Sequence, residues 1–235
     1  MHNVTLQYHS GVGFDVGGDY THYTSDNNQT LLADYADGGQ SSFSIIGGQK
    51  IDRYSIYADR KRHLAKEWNL GYGISYRFAK DRDFQTYDKV TGDIPTENTD
   101  SRLREQTANF YVSLSRNYAT GTSVSVSATG EYYAIGSYRK WAVYPQASLT
   151  YVKSPKHLFQ LSLSTDKTYP GYWDMQSSVS HLNGYTELWG TPGLKPSTTY
   201  NLNGNYIWKQ KYIFGLFFMH TSDFFVQTGY QSTDV

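Results

Sequence analysis

The chain has 235 residues, and its 21 Lys+Arg balance 21 Asp+Glu, so no global field calls for nucleic acid or an acidic substrate. Cysteine is absent, which excludes a disulfide framework and a thiolate metal site. Hydrophobic residues are 38%, a poor supply for a conventional packed core, yet 23 Tyr, 11 Phe and 5 Trp exclude a disordered chain.

At Met1 there is neither a basic segment nor an apolar run, so any export signal is expected upstream and the chain reads as a piece of a longer protein. His2–Tyr8 alternates Val4, Leu6 and Tyr8 with Asn3, Thr5 and Gln7. After a break at residues 9–11, Val12, Phe14, Val16 and Tyr20 alternate with glycines and aspartates. Such a period of two marks strands with one apolar and one polar face. Residues 25–50 are rich in Asn, Asp, Gly and Ser and read as a long loop, with Phe43–Ile46 as an alternative extension of the next strand. Tyr54, Ile56 and Ala58 then oppose Arg53, Ser55 and Tyr57, and a basic turn covers 60–67. The next strand is the cleanest: Trp68, Leu70, Tyr72, Ile74, Tyr76 and Phe78 against Asn69, Gly71, Gly73, Ser75 and Arg77.

Residues 80–103 read as a second long loop, dense in Asp, Thr and Arg. Ala108, Phe110, Val112 and Leu114 form the next apolar face, a turn follows at 117–121, and Val124, Val126, Ala128 and Tyr132 come after it. A shorter loop at 134–140 leads to a hairpin. In it Val143, Ala147, Leu149 and Tyr151, then Phe159, Leu161 and Leu163, alternate with serines, threonines and glutamines across a Lys153–Lys156 turn. Residues 167–195 form a third long loop. Tyr200, Leu202 and Tyr206 face away from Asn201, Asn203 and Asn205, and Tyr212–His220 is apolar on both faces.

This gives about ten strands of roughly 8–14 residues, close to what a tilted membrane-spanning strand requires. Connections run short and long in turn, as they do when successive turns fall at opposite rims of a barrel. Trp68 and Trp208 lie beside short turns and Trp141 beside a long one, the headgroup positions that amphipathic rings favour. The longest apolar run, Ile213–Met219, is too short for a membrane helix. The expected fold is all-β: an antiparallel up-and-down transmembrane β-barrel with short periplasmic turns and long extracellular loops. A self-contained passive porin-like barrel and a soluble secreted β-sandwich that binds glycans are the alternatives. A closed core burying Phe110, Val112, Leu149 and Leu161 would favour the sandwich.

Two motifs carry a family resemblance. Tyr169-Pro170-Gly171-Tyr172-Trp173-Asp174-Met175 looks like a Pro-x-Tyr-Trp-Asp-Leu segment. Gly190-Thr191-Pro192-Gly193-Leu194-Lys195-Pro196 looks like Gly-Asn-Pro-x-Leu-Lys-Pro-Glu, with Thr191 and Ser197 as departures. The two prolines also fix φ and force an extended approach to the following strand. The chain resembles the outer-membrane barrel of TonB-dependent receptors. That resemblance implies a barrel of about 22 strands with a plugged lumen, of which this chain supplies about ten. Residues 1–235 are then a single barrel segment without a plug domain, truncated at both ends; Tyr230–Val235 does not look like a last strand. It further implies a bacterial outer-membrane location and import of a scarce nutrient: siderophore, cobalamin, peptide or glycan. The implied partners are outer-membrane lipid, a plug domain and through it TonB, and the small-molecule or oligomeric cargo, with no nucleic acid.

No catalytic residue is expected. Ser, His and Asp occur without a recognisable nucleophile arrangement or a Gly-x-Ser-x-Gly motif, so the chain is not read as an enzyme. No metal site or cofactor is expected either. The calcium spacing is absent, no histidine pair has zinc spacing, and Asp81-Arg82-Asp83 reads as solvated loop charge. The candidate ligand-binding residues are the aromatics of the third loop, Tyr169, Tyr172, Trp173, Tyr185 and Trp189. Their faces can stack on sugars and flat ligands, or can pack the loop into an ordered cap.

Overall fold

The computed structural model describes residues 1–34, 38–92, 97–183 and 186–229. Ten strands form one sheet in which each chain neighbour pairs with the next: β1 His2–His9, β2 Phe14–Asp34, β3 Gln40–His63, β4 Trp68–Thr91, β5 Thr99–Asn117, β6 Ser123–Ile135, β7 Tyr138–Ser154, β8 His157–Thr168, β11 Ser197–Trp208 and β12 Tyr212–Ser222. All pairs are antiparallel. A separate hairpin, β9 Val179–Asn183 with β10 Thr186–Trp189, lies between β8 and β11. The large sheet is open, with β1 and β12 at its edges. Among the described residues no helix is long and apolar enough to cross a membrane.

Register turns the alternation of single strands into continuous rows. Val16, Ala58, Ile74, Phe110, Gly130 and Val143 stand side by side, as do Leu70, Leu114, Val126, Ala147, Leu163, Leu202 and Phe218. These rows are not a core. Phe110 is 55% exposed, Val112 41%, Leu149 40% and Leu161 50%. A monomer in water does not present so continuous an apolar surface, so the sandwich alternative is excluded. The opposite face carries Ser75 and Asn109, and the Ser115–Ser125–Ser148–Ser162–Asn203 row, a surface suited to water.

The belt has definite limits. On β4 it runs from Trp68 to Phe78, ten residue steps. At about 3.3 Å per residue and a tilt near 40°, that is a height of roughly 25 Å, the thickness of a barrel's lipid-facing band. Aromatic rings mark the upper limit: Tyr20 stacks on Tyr54 and Tyr132 lies against Trp141. The next outward row is His22, Asp52, Lys80 and Arg104, a change to charge that places the water boundary.

Two expected loops are corrected by this structure. The strands of β2, β3, β4 and β5 continue through most of residues 25–50 and 80–103, β2 to Asp34, β3 from Gln40, β4 to Thr91 and β5 from Thr99. Their outer face meets water and their inner face is covered by the segment after β8, which buries polar Gln49, Asp81, Asp83 and Gln85 beside Phe43 and Ile45, so the strand has no clean apolar–polar period to read. The segment 134–140 is also not a long loop. β6 and β7 meet across Gly136-Ser137, so the strict order of short and long connections fails there.

The wall has one built-in split. Pro145 lies inside β7, has no N–H, and its carbonyl accepts a hydrogen bond from Thr165 Oγ1 of β8 at 2.7 Å. The β7–β8 ladder ends just below it, at Ala147–Leu163. Above that point β8 pairs only with β11 and turns Thr165 and Lys167 toward the interior.

Candidate functional site

The interior of the upper barrel holds a charged and aromatic cluster. Arg77 of β4 lies beside β5, where its Nη2 donates to Thr107 Oγ1 at 3.3 Å and sits 3.5 Å from Glu105 Oε1. Glu131 of β6 pairs with Lys167 of β8, and both side chains are nearly buried. Between them stand Tyr133 and Tyr144, with the Lys167 ammonium 4.4 Å from the Tyr133 ring centre and 5.6 Å from that of Tyr144. Buried charges are tolerable only when paired and hydrogen-bonded, and here each carboxylate has a cation.

The segment after β8 closes this network. Tyr169 donates its hydroxyl to Glu131 Oε2 and Tyr172 donates to Glu105 Oε2. Burial raises both phenols above the usual tyrosine range, and the adjoining carboxylates raise them further, so both remain donors. The Tyr169 ring also lies under the Arg77 guanidinium at 5.3 Å. Next, Asp174 accepts from the Gly171 N–H at 2.9 Å, a 3-10 turn forms over Trp173–Met175, and Met175 buries against Tyr133 and Ile135. Thr191 N–H donates to the Asp174 carbonyl at 2.7 Å, so the segment folds on itself.

A second set of contacts holds it to the tall strands. Ser178 Oγ donates to Asp83 Oδ2 at 2.6 Å. His181 Nε2 and the Tyr87 hydroxyl are 2.9 Å apart, and the His181 ring lies 4.8 Å from that of Phe43. Burial lowers the affinity of His181 for a proton, against the pull of Glu187 at 3.4 Å.

The five candidate aromatics therefore separate. Tyr169 and Tyr172 are spent on anchoring the segment to the wall. Trp173 and Trp189 remain 43% and 66% exposed and flank a cleft of about 110 Å³ with Asp174, Leu188, Leu194 and Phe225. Tyr185 lies outside the described residues. Arg77, Glu105, Glu131 and Lys167 were not legible as a site. Their signal was weak: Arg77, Glu105 and Glu131 are ionisable residues at inward positions near the upper ends of otherwise hydroxyl- and aromatic-rich strands, while alternation puts Lys167 on the outer set of β8, which turns inward only above Pro145.

An open, one-directional antiparallel wall with a lipid-height apolar belt, a wet inner face and an ordered segment folded into its mouth defines a membrane-spanning β-barrel of the bacterial outer membrane. The chain belongs to the outer membrane protein beta-barrel family, whose model matches residues 9–235. Among curated proteins, no relative matches. Similar solved structures are the ferripyoverdine receptor of the Pseudomonas aeruginosa outer membrane bound to ferripyoverdine (14% identity, TM-score 0.49, covering 87% of this chain and 30% of that one) and P. aeruginosa FpvA bound to a heterologous pyoverdine–iron complex (14%, 0.47, 87% and 29%). The chain thus spans about three tenths of the length of those receptors.

Proposed function

We propose that the chain is part of a TonB-dependent receptor barrel that imports a scarce nutrient, a siderophore, cobalamin, peptide or glycan, with a plug domain through which TonB acts. The reading makes it a transporter and not an enzyme, with residues 1–235 as one barrel segment. The observation that carries it is the segment between β8 and β11. A passive pore is served by an open mouth, whereas here two tyrosines, donating to wall glutamates that are themselves ion-paired, hold an ordered, indole-bearing segment inside it. The Pro-Gly-Tyr-Trp-Asp and Leu-Lys-Pro motifs of the resemblance lie in that same segment. Trp173 and Trp189 are the surface offered to cargo, by stacking.

The test is uptake by cells carrying the intact protein, supplied with one labelled nutrient class at a time. The expected result is accumulation that stops when TonB is removed or the inner membrane is de-energised, with weaker cell-surface binding in W173A and W189A. Uptake that persists without inner-membrane energy would make the protein a passive pore.

A further inference from the structure

The outward face changes in character above the aromatic limit of the belt. Lys50, Arg82 and Arg102 stand side by side in one row of β3, β4 and β5, and Lys80 and Arg104 stand side by side in the row beneath. All five are exposed; of the Asp81-Arg82-Asp83 run, only Arg82 remains in solvent as the sequence led one to expect. Strand and row spacings place the five cations in a patch of about 10 by 7 Å. Asp100 is shared by Arg82 and Arg102, at 2.9 and 3.4 Å. Asp52, in register with Lys80, is held by the Tyr20 hydroxyl at 2.7 Å and by His22 Nδ1 at 2.8 Å. Among the described residues Lys50, Lys80 and Arg104 form no salt bridge. Like charges directly opposite one another are destabilising, and an anion from outside the chain relieves them.

The lower rim of the same strands is different. There Arg60 stands between Phe14 and Tyr72, Arg62 faces Leu70, and Arg116 stands between Trp68 and Val124, so no two of these cations are in register. The short β7–β8 and β11–β12 turns mark that rim as periplasmic, which puts the cation patch at the outer leaflet. Directly below the patch the belt dips. Ala58, Ala108 and Gly130 are small where Ile56, Phe110 and Trp141 beside them are large, and together they line an apolar hollow of about 710 Å³. Four residue steps on β5 separate Arg104 from Ala108, roughly 10 Å of depth at a tilt near 40°. Anion above and hydrocarbon below, at that separation, is the arrangement of a lipid standing in a leaflet. Guanidinium groups match phosphate with paired hydrogen bonds, and each cation near an anionic surface adds to the attraction.

We propose that the outer face of β3, β4 and β5 binds a phosphorylated, multiply acylated lipid of the outer leaflet. Its phosphates lie on Lys50, Lys80, Arg82, Arg102 and Arg104, and one acyl chain lies in the hollow over Ala108 and Gly130. The proposal rests on the outer-membrane location and not on the transport reading.

The test uses the intact protein in detergent micelles, titrated with diphosphoryl lipid A, with bound lipid counted by native mass spectrometry. Parallel titrations use the same lipid stripped of its phosphates, and inorganic pyrophosphate. The expected result is saturable binding of the diphosphoryl lipid alone. Affinity should fall about tenfold or more in K80Q/R104Q and in K50Q/R102Q, and stay unchanged in R60Q/R62Q at the lower rim. G130L fills the hollow and should weaken binding about threefold or more; a Cβ at that position meets nothing nearer than 3.9 Å, so the strand accepts it. Equal affinity in the parent and both patch variants, or in the parent and G130L, overturns the proposal. Pyrophosphate bound as tightly as the lipid, or the stripped lipid bound as tightly as the phosphorylated one, overturns it as well.

Discussion

Tyr172 donates its hydroxyl to Oε2 of Glu105, a residue 67 positions earlier in the chain, on β5 of the wall. Tyr172→Phe keeps the ring against Met175 and Tyr133 but leaves Glu105 with Arg77 alone. A hydrogen bond to a charged group contributes about 1.5–3 kcal/mol. The expected outcome is faster amide exchange over residues 172–178 with β4 and β5 unchanged. Unaltered exchange over that segment would show that the phenol does not hold it.

The belt is tested by a pair of neighbours on β5. Phe110 faces outward near mid-height, and Asn109 faces inward, where its Nδ2 donates to Ser75 Oγ at 3.4 Å. Arginine at a lipid-facing midplane position costs about 2–4 kcal/mol. Phe110→Arg should lower folding stability in phospholipid vesicles by that amount, and Asn109→Arg by far less. Equal losses would contradict the assignment of faces.

Asp81 gives a pH dependence with a definite sign. Burial, followed by repulsion from Asp83, pushes its carboxyl up to about 6. A carboxyl whose folded value is above its unfolded value binds protons better when folded. Its contribution is complete below about pH 4 and is lost as pH rises through about 6, on the order of 2 kcal/mol. Denaturation should therefore occur at higher denaturant at pH 5 than at pH 7. Asp81→Asn should flatten that difference.

Gly190 tests the fold of the segment without touching the wall. A Cβ there would lie 2.3 Å from the Gln176 carbonyl oxygen and 2.9 Å from its nitrogen, backbone atoms that cannot swing aside. Gly190→Ala should open the segment and expose its indoles to acrylamide quenching, while heat-resistant barrel structure persists. Quenching equal to that of the parent would mean that the chain absorbs the added methyl group.

The barrel wall was legible because lipid outside and water inside impose a period of two. Leu70, Tyr72, Ile74 and Phe110, Val112, Leu114 could each be placed on a face from spacing alone, and the order of turns gave the meander. Above the belt that contrast vanishes. Asn27, Gln29 and Thr30 look like loop because water meets both of their faces, although they pair with β3. The site was half legible: the aromatic segment was visible, but which rings anchor it depends on Glu105 and Glu131, far away in sequence. Asp83 is covered by Ser178, 95 positions away, and nothing local to Asp-Arg-Asp announces it.

The strands end at very different heights. β4 continues about 30 Å beyond Phe78, while β6 turns back at Ile135, close above Tyr132. The upper edge of this sheet is consequently lopsided, a palisade on one flank and a low sill on the other. The segment between β8 and β11 touches both, Phe43, Asp83 and Tyr87 on the tall strands and Tyr133 and Ile135 beside the low turn, and so bridges the step in the wall's upper edge.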